Sequence, residues 1–310
     1  MWYRLPGPEW VRGLGSAVFV SVGLGAAILV HRRRLTALIL FGCVFAAVLI
    51  WWNMIAVESS ADWAPDVARQ VTGRRDGNSL VLTNVRDFEW RSDGTALERW
   101  GTRIYDLERL RTLDLFLSYW AGPQIAHVIL SFGFDGGDQL AWSIEVRRSK
   151  DGAFSPIADL FKSSPLVIVA AGERDVVRVR SNVRGEDVQL YRLRTSPEMA
   201  RALLLEYVDD ANALAASPKF YNSLTTNCTT TVVKMARAAG GKLPLDWRLI
   251  VNGYLPEYLY GHGALDTDEP LPTLTGFARI ADRARAADQS PEFSKLIRIG
   301  VPSPRDPPGP

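Results

Sequence analysis

Two apolar runs at the start of the chain limit what it can fold into. Residues 14–30 and 35–57 carry no charged side chain, and Trp51 and Trp52 lie near the end of the second run. The second run is long enough to span a bilayer, and the first just reaches the usable length. Tryptophans at the end of such a run suit the membrane interface. With two runs and no small-x-small cleavage pattern, the sequence predicts a two-helix transmembrane anchor over residues 1–60 rather than a signal peptide.

The distribution of charge predicts how this anchor is oriented. Three arginines, residues 32–34, lie between the runs, whereas Glu58 and Asp62 follow the second run. The positive-inside rule places the arginine loop in the cytoplasm, although Arg4 and Arg12 would then have to cross the membrane. Both chain ends and the bulk of the protein would be extracytoplasmic. The expected location is the bacterial inner membrane, multi-pass, with the main domain in the periplasm.

Composition and cysteine usage restrict the function classes. Hydrophobic residues make up 47% of the 310 residues, and the net charge of +2 gives no overall field for nucleic acid. Of the two cysteines, Cys43 lies inside the second apolar run, and Cys228 belongs to the extracytoplasmic part. A lone cysteine in an oxidising compartment has no internal disulfide partner, which marks its thiol as a candidate reactive group. We expect no cofactor and no nucleic-acid partner.

Cys228 opens a predicted helix. Asn227 is a favourable N-cap, apolar residues follow at helical spacing, and Gly240 with Gly241 ends the segment. A thiol at a helix N-terminus has a lowered pKa, which favours the nucleophilic thiolate. The free backbone N–H groups of the same turn can hold an oxyanion. The alternative is a small buried residue where a helix docks, because free cysteine is often buried.

A predicted hairpin brings a histidine and a carboxylate together. Residues 125–134 and 139–147 read as strands joined by an Asp-Gly-Gly loop. A three-residue loop makes one face of the hairpin wholly apolar, whereas a two-residue loop would bury Glu145 in that face. We therefore expect the first register, which sets Glu145 directly across from His127 and leaves a face of small residues on which a helix can pack.

The remaining elements are predicted by pattern. Strands are expected at 79–88, within 102–117, and at 166–170, 175–180 and 188–193, and residues 62–70 form a linker or first helix. A helix from Pro197 to Ala216 buries a stripe at helical spacing, namely Ala200, Leu203, Leu204, Tyr207, Val208, Ala211 and Leu214. Residues 246–263 are expected to form a helix plus a loop. Order is expected to decline from residue 271, and 302–310 reads as a disordered tail.

A thiolate nucleophile needs a base and a group that orients that base. Of the three histidines, His31 falls in the arginine loop, across the membrane from Cys228. His127 lies on a strand opposite a carboxylate, whereas His262 lies in a glycine-flanked segment. A rigid element positions a catalytic group better than a loop does. The favoured base is therefore His127, with His262 as the alternative.

Several separated blocks of sequence resemble a known family. The blocks are His127-Val128-Ile129-Leu130-Ser131-Phe132, Ser143-Ile144-Glu145-Val146-Arg147, Gly172-Glu173-Arg174-Asp175, and Phe220-Tyr221-Asn222 through Asn227-Cys228-Thr229-Thr230. In this order they resemble the Lnb N-terminal periplasmic domain family, over roughly residues 62–263. A helix opened by Asn227-Cys228, with a strand histidine upstream, also looks like the circularly permuted papain-like enzymes, which include NlpC-type peptidases and the lecithin:retinol acyltransferase group.

The resemblance implies a fold and a set of roles. The fold is α+β, with the transmembrane hairpin followed by a permuted papain-like, NlpC-type domain whose antiparallel sheet packs on the cysteine-bearing helix. Cys228 is implied as nucleophile, His127 as base and Glu145 as third member, with Glu173 as the alternative third member. Tyr221 belongs to a matching block and, with Asn227 and Glu173, is a candidate supporting residue. Thr229-Thr230 differ from the residues that follow the cysteine in the acyltransferases, which counts against that activity.

Three functions compete at this stage. The first is a membrane-anchored thiol hydrolase or acyl-transfer enzyme acting on amide or ester bonds of peptidoglycan, lipoprotein or lipid. The second is an inactive module of the same fold that binds an envelope partner. The third is a zinc site formed by Cys228, His127 and Glu145. This hypothesis lacks the closely spaced ligand residues that are typical of zinc sites. The expected domains are residues 1–60 as anchor, 61–270 as the soluble domain and 271–310 as a poorly ordered tail.

Overall fold

The chain begins with two apolar helices, as the sequence predicts. The computed structural model describes residues 2–31, 33–58, 60–152, 154–265 and 269–304. Helix α1 spans Glu9–Leu29 and α2 spans Arg34–Met54. At 21 residues each, both are long and apolar enough to cross a membrane. Of the predicted arginine loop, Arg32 lies outside the described residues.

A mixed but mostly antiparallel sheet forms the centre of the part that follows the helical hairpin. In the described residues its order is β1-β2-β9-β8-β7-β6-β10, with β5 also paired to β2, and only β2–β9 is parallel. The strands are β1 Thr72–Asp76, β2 Ser79–Arg86, β5 Trp100–Asp106, β6 Leu110–Tyr119, β7 Ala126–Phe134, β8 Gln139–Val146, β9 Leu166–Ala171 and β10 Asp187–Arg192. Strands β3 (Glu89–Trp90) and β4 (Ala96–Leu97) form a separate ribbon. The predicted strand pair within 102–117 is β5 and β6, and the predicted first helix within 62–70 is a single 3-10 turn, Pro65–Val67.

Helices cover both faces of the sheet. The helices are α3 Glu173–Arg178, α4 Pro197–Ala216, α5 Cys228–Ala238, α6 Leu255–Gly261, α7 Leu271–Ala278, α8 Ala281–Ala287 and α9 Phe293–Leu296. On the first face, α4 buries the predicted stripe, and Tyr207 packs on Phe132 and Trp142. Helix α5 lies on the same face and packs against α4, with Val233 and Met235 in the same core. The second face is covered by α3, α8 and α9.

The β7–β8 hairpin has the predicted register. Leu130 pairs with Trp142, and Phe132 pairs with Leu140. The loop is closed where the backbone N–H of Phe134 donates to the Asp138 carbonyl at 2.9 Å. Its two glycines have φ of +96° and +94°, a conformation that residues with a Cβ rarely adopt. Helices do pack on the predicted face of small residues, and they are α3 and the C-terminal helices. The cysteine-bearing helix α5 packs on the opposite face.

The predicted strand at 175–180 is wrong, because this segment is helical. Helix α3 continues into a π-helical turn, Val179–Val183. The buried Asp175 carboxylate accepts hydrogen bonds from the Arg86 guanidinium at 2.8 and 2.9 Å and from the Trp90 indole at 2.8 Å. These contacts, with Val176 and Val177 buried against the sheet, require a helix there. Packing therefore overrides the strand preference of the β-branched residues.

The predicted loss of order from residue 271 is wrong for residues 271–297, which form α7 to α9. Ile280, Ala284, Phe293 and Ile297 are buried against the second face of the sheet. The helices here are short, so their order depends on tertiary contacts with the sheet that composition does not reveal. Most of the predicted tail at 302–310 lies outside the described residues, and its disorder stays a prediction.

Arg298 fixes this C-terminal segment to the sheet. Its guanidinium donates to the buried carboxylates of Asp114 at 2.7 and 2.9 Å and of Glu173 at 2.7 Å. Removing one partner of a buried ion pair leaves uncompensated charge. We expect Arg298→Met to lower the free energy of unfolding by about 3–5 kcal/mol, measured by denaturant unfolding of the full chain in detergent.

The matched control is Arg285→Met, which removes an exposed pair with Asp282 on the same C-terminal segment. Exposed pairs contribute about 0–1 kcal/mol, so this variant should unfold nearly as the parent does. Equal effects of the two substitutions would show that Arg298 does not hold the segment in place.

Candidate active site

Cys228 is held at the first residue of α5 by a complete capping box. The Asn227 side chain accepts hydrogen bonds from the backbone N–H groups of Thr229 and Thr230, both at 2.9 Å. The Thr230 hydroxyl accepts one from the Asn227 N–H at 3.0 Å. This reciprocal pair fixes where the helix begins. The predicted N-cap is therefore present, and Cys228 is buried, with 6% of its surface exposed.

The thiol lies where β7 and β8 separate. Their ladder ends at Ile129 and Ser143, although β8 continues to Val146. Beyond that end, the backbone N–H of Val128 lowers the pKa of the Cys228 thiol. The gap explains how a helix on the first face of the sheet brings its first residue to a histidine that points toward the second face.

His127 connects Cys228 to Glu145. Its Nε2 lies 2.7 Å from the Ser143 hydroxyl and 3.2 Å from Oε1 of Glu145. The Ser143 hydroxyl donates to the same Glu145 oxygen at 2.6 Å, so it accepts from His127. With Nε2 engaged in this way, Nδ1 is the ring nitrogen that remains for the Cys228 thiol, whose interaction with His127 raises the pKa of the imidazole. The structure thus brings together the three residues that the sequence grouped, and adds Ser143.

Arg180 joins this group from the π-helical turn. Its guanidinium donates to Glu145 at 2.9 Å and to Glu186 at 3.3 Å, and only 8% of its side chain is exposed. Single π-helical turns occur often at functional sites, where they re-aim side chains. Sequence reasoning missed Arg180 because it treated the segment as a strand. No sequence signal separates this arginine from its neighbours.

The electrostatics of the site favour a thiolate–imidazolium pair. Burial raises the pKa of the Cys228 thiol, but the hydrogen bond and charge of His127 outweigh it, so the net pKa lies below its ordinary value. Burial and the Arg180 charge lower the pKa of His127, whereas the Glu145 charge and the hydrogen bonds with Cys228 and Glu145 raise it, to about 9 overall. Despite its burial, Glu145 has a pKa well below the usual range because of the charges of His127 and Arg180.

Asn252 is a contact of the site that the sequence analysis did not identify. Its side-chain amide donates to the Thr229 hydroxyl at 2.6 Å and to the Ala126 carbonyl at 2.7 Å, and it reaches the Cys228 sulfur at 4.0 Å. Its carbonyl oxygen accepts from the Ala126 N–H at 2.9 Å. One side chain therefore ties α5 to the start of β7. Its only sequence signal was the Asn-Gly pair within the aromatic segment 246–263.

Tyr221 lies against the helix N-terminus. Burial and the nearby Cys228 charge raise the pKa of its hydroxyl strongly, while a hydrogen bond with the Cys228 backbone N–H acts in the opposite direction. The hydroxyl therefore stays protonated at neutral pH. The predicted supporting residue is thus in contact with the amide that was expected to hold an oxyanion.

The two alternative residues are not in contact with this group. Glu173 accepts a hydrogen bond from Ser131 at 2.6 Å and pairs with Arg298. Ser131 is four residues along β7 from His127, about 13 Å away at the rise of a strand. The ring of His262 contacts the Tyr258 carbonyl at 2.7 Å. Neither residue takes the role that the sequence analysis left open for it.

A metal site at these residues has no geometric support. No group of three or more His, Cys, Asp or Glu side chains within the described ranges is arranged to hold a metal ion. The Glu145 carboxylate is also engaged by the Arg180 guanidinium, whose positive charge would repel a cation.

The cysteine opens into a cleft of about 440 Å³ with two different walls. One wall is apolar and partly exposed, and it consists of Trp120, Ile125, Phe154 and Ile250. The Trp120 and Phe154 rings meet edge to face, with centroids 5.8 Å apart. The other wall carries three arginines, Arg148, Arg180 and Arg184, together with Glu145 and Glu186. Such a cleft suits an amphipathic ligand.

The end of the helical hairpin that carries Trp51 and Trp52 contacts the chain beside this cleft. The Tyr3 ring stacks on Phe161 at 5.3 Å, and the Lys162 ammonium donates to the Trp52 carbonyl at 2.7 Å. Ser223, which lines the cleft, donates at 2.7 Å to the carbonyl of Pro156, which shortly precedes Phe161 in the chain. The cleft therefore lies next to the end of the hairpin that carries the tryptophans.

Comparison with known proteins gives one match. The Lnb N-terminal periplasmic domain family matches residues 96–253, just over half of the chain. The matched region contains Cys228, His127, Glu145, Arg180 and Asn252. Neither the curated proteins nor the solved structures contain a match to the chain.

The geometry predicts how the thiol responds to loss of the carboxylate. Glu145→Gln removes the charge that raises the pKa of His127, so the imidazolium loses its proton at lower pH and the pKa of Cys228 rises. We expect the pH profile of Cys228 alkylation to move upward. Once the pKa of the thiol exceeds 7, the labelling rate at pH 7 should fall about tenfold for each further unit by which that pKa rises, because the thiolate fraction falls by that factor. Iodoacetamide labelling followed by mass spectrometry measures this profile.

Glu173→Gln is the matched control, because Glu173 is a buried carboxylate on the same sheet face without contact to His127. Its profile should match that of the parent, Cys228→Ser should abolish labelling at this position, and His262→Ala should change little. An altered profile with Glu173→Gln and none with Glu145→Gln would mean that the assigned third member is wrong.

Proposed function

Because the chain belongs to the Lnb N-terminal periplasmic domain family, we propose that it is a membrane-anchored periplasmic enzyme that uses Cys228 to accept acyl groups from envelope lipids. The observation that carries the proposal is that Cys228, His127 and Glu145 line one cleft, with Nε2 of His127 3.2 Å from the Glu145 carboxylate. A nucleophile, a base and an orienting carboxylate in this order are the requirements of acyl transfer. The family match itself supports only the extracytoplasmic location.

The proposed reaction has two steps. The Cys228 thiolate attacks the carbonyl carbon of an ester or amide, and the resulting oxyanion takes the place of the Tyr221 hydroxyl at the backbone N–H of Cys228. The His127 imidazolium donates its proton to the leaving oxygen or nitrogen, and a thioester remains on the sulfur. Water or an amine then attacks the thioester while neutral His127 accepts its proton, which restores the thiolate–imidazolium pair.

Glu145 and its partners have positioning roles in this scheme. The carboxylate holds Nε2 of His127, directly and through Ser143, so that Nδ1 faces the sulfur. It also stabilises the imidazolium, because its own charge is retained at all pH values above its lowered pKa. Arg180 fixes the Glu145 carboxylate in turn. Asn252 keeps the start of β7 against α5, which maintains the distance between base and nucleophile.

The surroundings of the cleft favour a lipid-borne acyl group over a peptidoglycan amide. Trp120, Phe154 and Ile250 expose 44–53% of their surfaces at the apolar wall. An apolar wall beside the outer end of a membrane hairpin suits an acyl chain drawn from the bilayer, because apolar surface gains about 25 cal/mol per Å² on leaving water. A peptidoglycan stem is polar and gains little there.

We also propose the finer architecture. The order of sheet histidine, sheet carboxylate and later cysteine-bearing helix is that of a circularly permuted papain-like domain, starting near residue 61. Both α1 and α2 would cross the inner membrane, with the arginine loop in the cytoplasm. The contacts of Tyr3 with Phe161, of Trp52 with Lys162 and of Arg4 with Phe220 support a cleft that lies at the periplasmic surface.

A covalent acyl-enzyme is the first expected outcome. The full chain, incubated with phospholipid vesicles, should gain the mass of an acyl group at Cys228, and neutral hydroxylamine should remove it. Cys228→Ala should abolish the adduct, and His127→Ala should slow its formation about 10²–10⁴-fold, the usual contribution of a general acid–base.

Cys43→Ser is the control for the thiol chemistry, because Cys43 lies within α2 and is the only other cysteine. In this variant the acyl adduct at Cys228 should form at the parental rate. If the folded parent takes up no acyl group and Cys228 titrates like a free thiol near 8.5, the site is inert, and the function becomes that of an envelope-binding module.

The topology has its own test. A periplasm-dependent reporter fused after Pro310 should be active, and a cytoplasm-dependent reporter at the same position should be silent. Fusion within the loop between α1 and α2 should give the reverse pattern. Activity of the cytoplasmic reporter at the C-terminus would overturn the periplasmic assignment of Cys228.

A further inference from the structure

Arg184 is an arginine of the cleft whose guanidinium forms no hydrogen bond in the described part of the chain. It caps the π-helical turn, lines the same cleft as Cys228, and exposes 39% of its side chain. Its nearest carboxylate oxygens are those of Glu186 at 3.8 Å and Asp66 at 3.9 Å, beyond hydrogen-bond distance. Within the described residues, its guanidinium therefore has charged neighbours but no hydrogen-bond acceptor.

Of the two neighbouring carboxylates, Asp66 is engaged on both oxygens by another donor and Glu186 on one. Asp66 receives Arg148 on both oxygens, at 2.7 and 2.8 Å. Oε2 of Glu186 accepts from Ser118 and from Arg180. Oε1 of Glu186 is left facing Arg184, but at 3.8 Å it does not accept a hydrogen bond from the guanidinium. Burial lowers the pKa of Arg184, as does the charge of Arg180, so the guanidinium gains from an added anion.

The preference for an anion comes from the guanidinium N–H donors of Arg184 that have no acceptor, and not from net charge. Three guanidinium groups on this wall, those of Arg148, Arg180 and Arg184, balance the carboxylates of Asp66, Glu145 and Glu186. A planar guanidinium binds phosphate or carboxylate oxygens through two parallel N–H bonds, which a point charge cannot do. The site is therefore suited to a bidentate oxyanion.

We infer that Arg184 binds the phosphate of a membrane phospholipid whose acyl chain lies on the apolar wall. The inference rests on the proposed acyl transfer and adds a recognition element to it. The anion site and the apolar wall of Trp120, Ile125, Phe154 and Ile250 line one cleft, with Cys228 at its base. A phospholipid carries a phosphate, an ester and an acyl chain in one molecule. The hairpin end beside the cleft supplies the membrane from which such a ligand comes.

A binding experiment on an inactive chain tests this without relying on turnover. The full chain with Cys228→Ser is titrated by calorimetry with dihexanoylphosphatidylglycerol and with dihexanoylglycerol, which lacks the phosphate. Arg184→Gln should weaken binding of the phospholipid about tenfold to a hundredfold, the range of charge-assisted hydrogen bonds, and leave dihexanoylglycerol unchanged. Arg184→Lys, which keeps the charge without the fork, should recover only part of the loss.

Arg174→Gln is the matched control, because Arg174 is an exposed arginine on α3 that donates to the Gln289 carbonyl outside the cleft. It should bind both lipids as the parent does. Loss of dihexanoylglycerol binding in Arg184→Gln, or equal phospholipid affinity in the two variants, would overturn the inference.

Two further probes identify the source of the anion. Inorganic phosphate should bind far more weakly than the phospholipid. Equal affinity would mean a free-anion site and would overturn the lipid assignment, as would tighter, Arg184-dependent binding of an acidic peptidoglycan stem peptide. Arg184-dependent lipid binding in a chain that never forms an acyl-enzyme would reject the proposed enzyme alone, whereas acylation without any Arg184 effect would reject this inference alone.

Discussion

The site depends on the register of one β-hairpin. His127 and Glu145 meet because β7 and β8 pair with a three-residue loop, and a shift by one residue would turn one of the two side chains to the other face. The register is itself set by burial, since it places Leu130, Phe132 and Trp142 in one apolar layer against α4. The chemistry of the site is thus fixed by the packing of residues that take no part in it.

The second constraint is the end of the β7–β8 ladder. A fully paired sheet would separate the cysteine on one face from the histidine on the other. Because pairing stops at Ile129 and Ser143, the backbone N–H of Val128 is available to the thiol, and the sulfur reaches the imidazole at the sheet end. The capping box of Asn227 and Thr230 and the amide of Asn252 then keep the helix start in place.

Buried ion networks organise the other face of the sheet. Arg86 with Asp175 holds α3, and Arg298 with Asp114 and Glu173 holds the C-terminal helices. Helix α3 leads into the turn that carries Arg180, so the first network also positions the residue that holds Glu145. Such pairs are poor sources of net stability, but losing one partner is costly. Their evident contribution is to fix how these segments lie on the sheet.

The sequence by itself determined the features that arise from local pattern. Apolar run length gave the two N-terminal helices, helical spacing gave the buried stripe of α4, and alternation with the Asp-Gly-Gly loop gave the hairpin and hence the pairing of His127 with Glu145. The start of α5 at Cys228 followed from the N-cap preference of Asn227. Each of these depends on neighbours within a few residues, or on one turn, so each can be read without the rest of the chain.

Tertiary structure alone decided what depends on distant partners. Residues 175–180 are helical because Asp175 must meet Arg86, Phe88 and Trp90, which lie more than eighty residues earlier. Residues 271–297 are ordered because the apolar side chains of their short helices are buried against the sheet. Glu173 was excluded from the site, and Arg180, Ser143 and Asn252 were added to it, by contacts across the fold. Local preferences are worth about 1 kcal/mol or less per residue, whereas an unpaired buried charge costs several, so the distant contacts prevail.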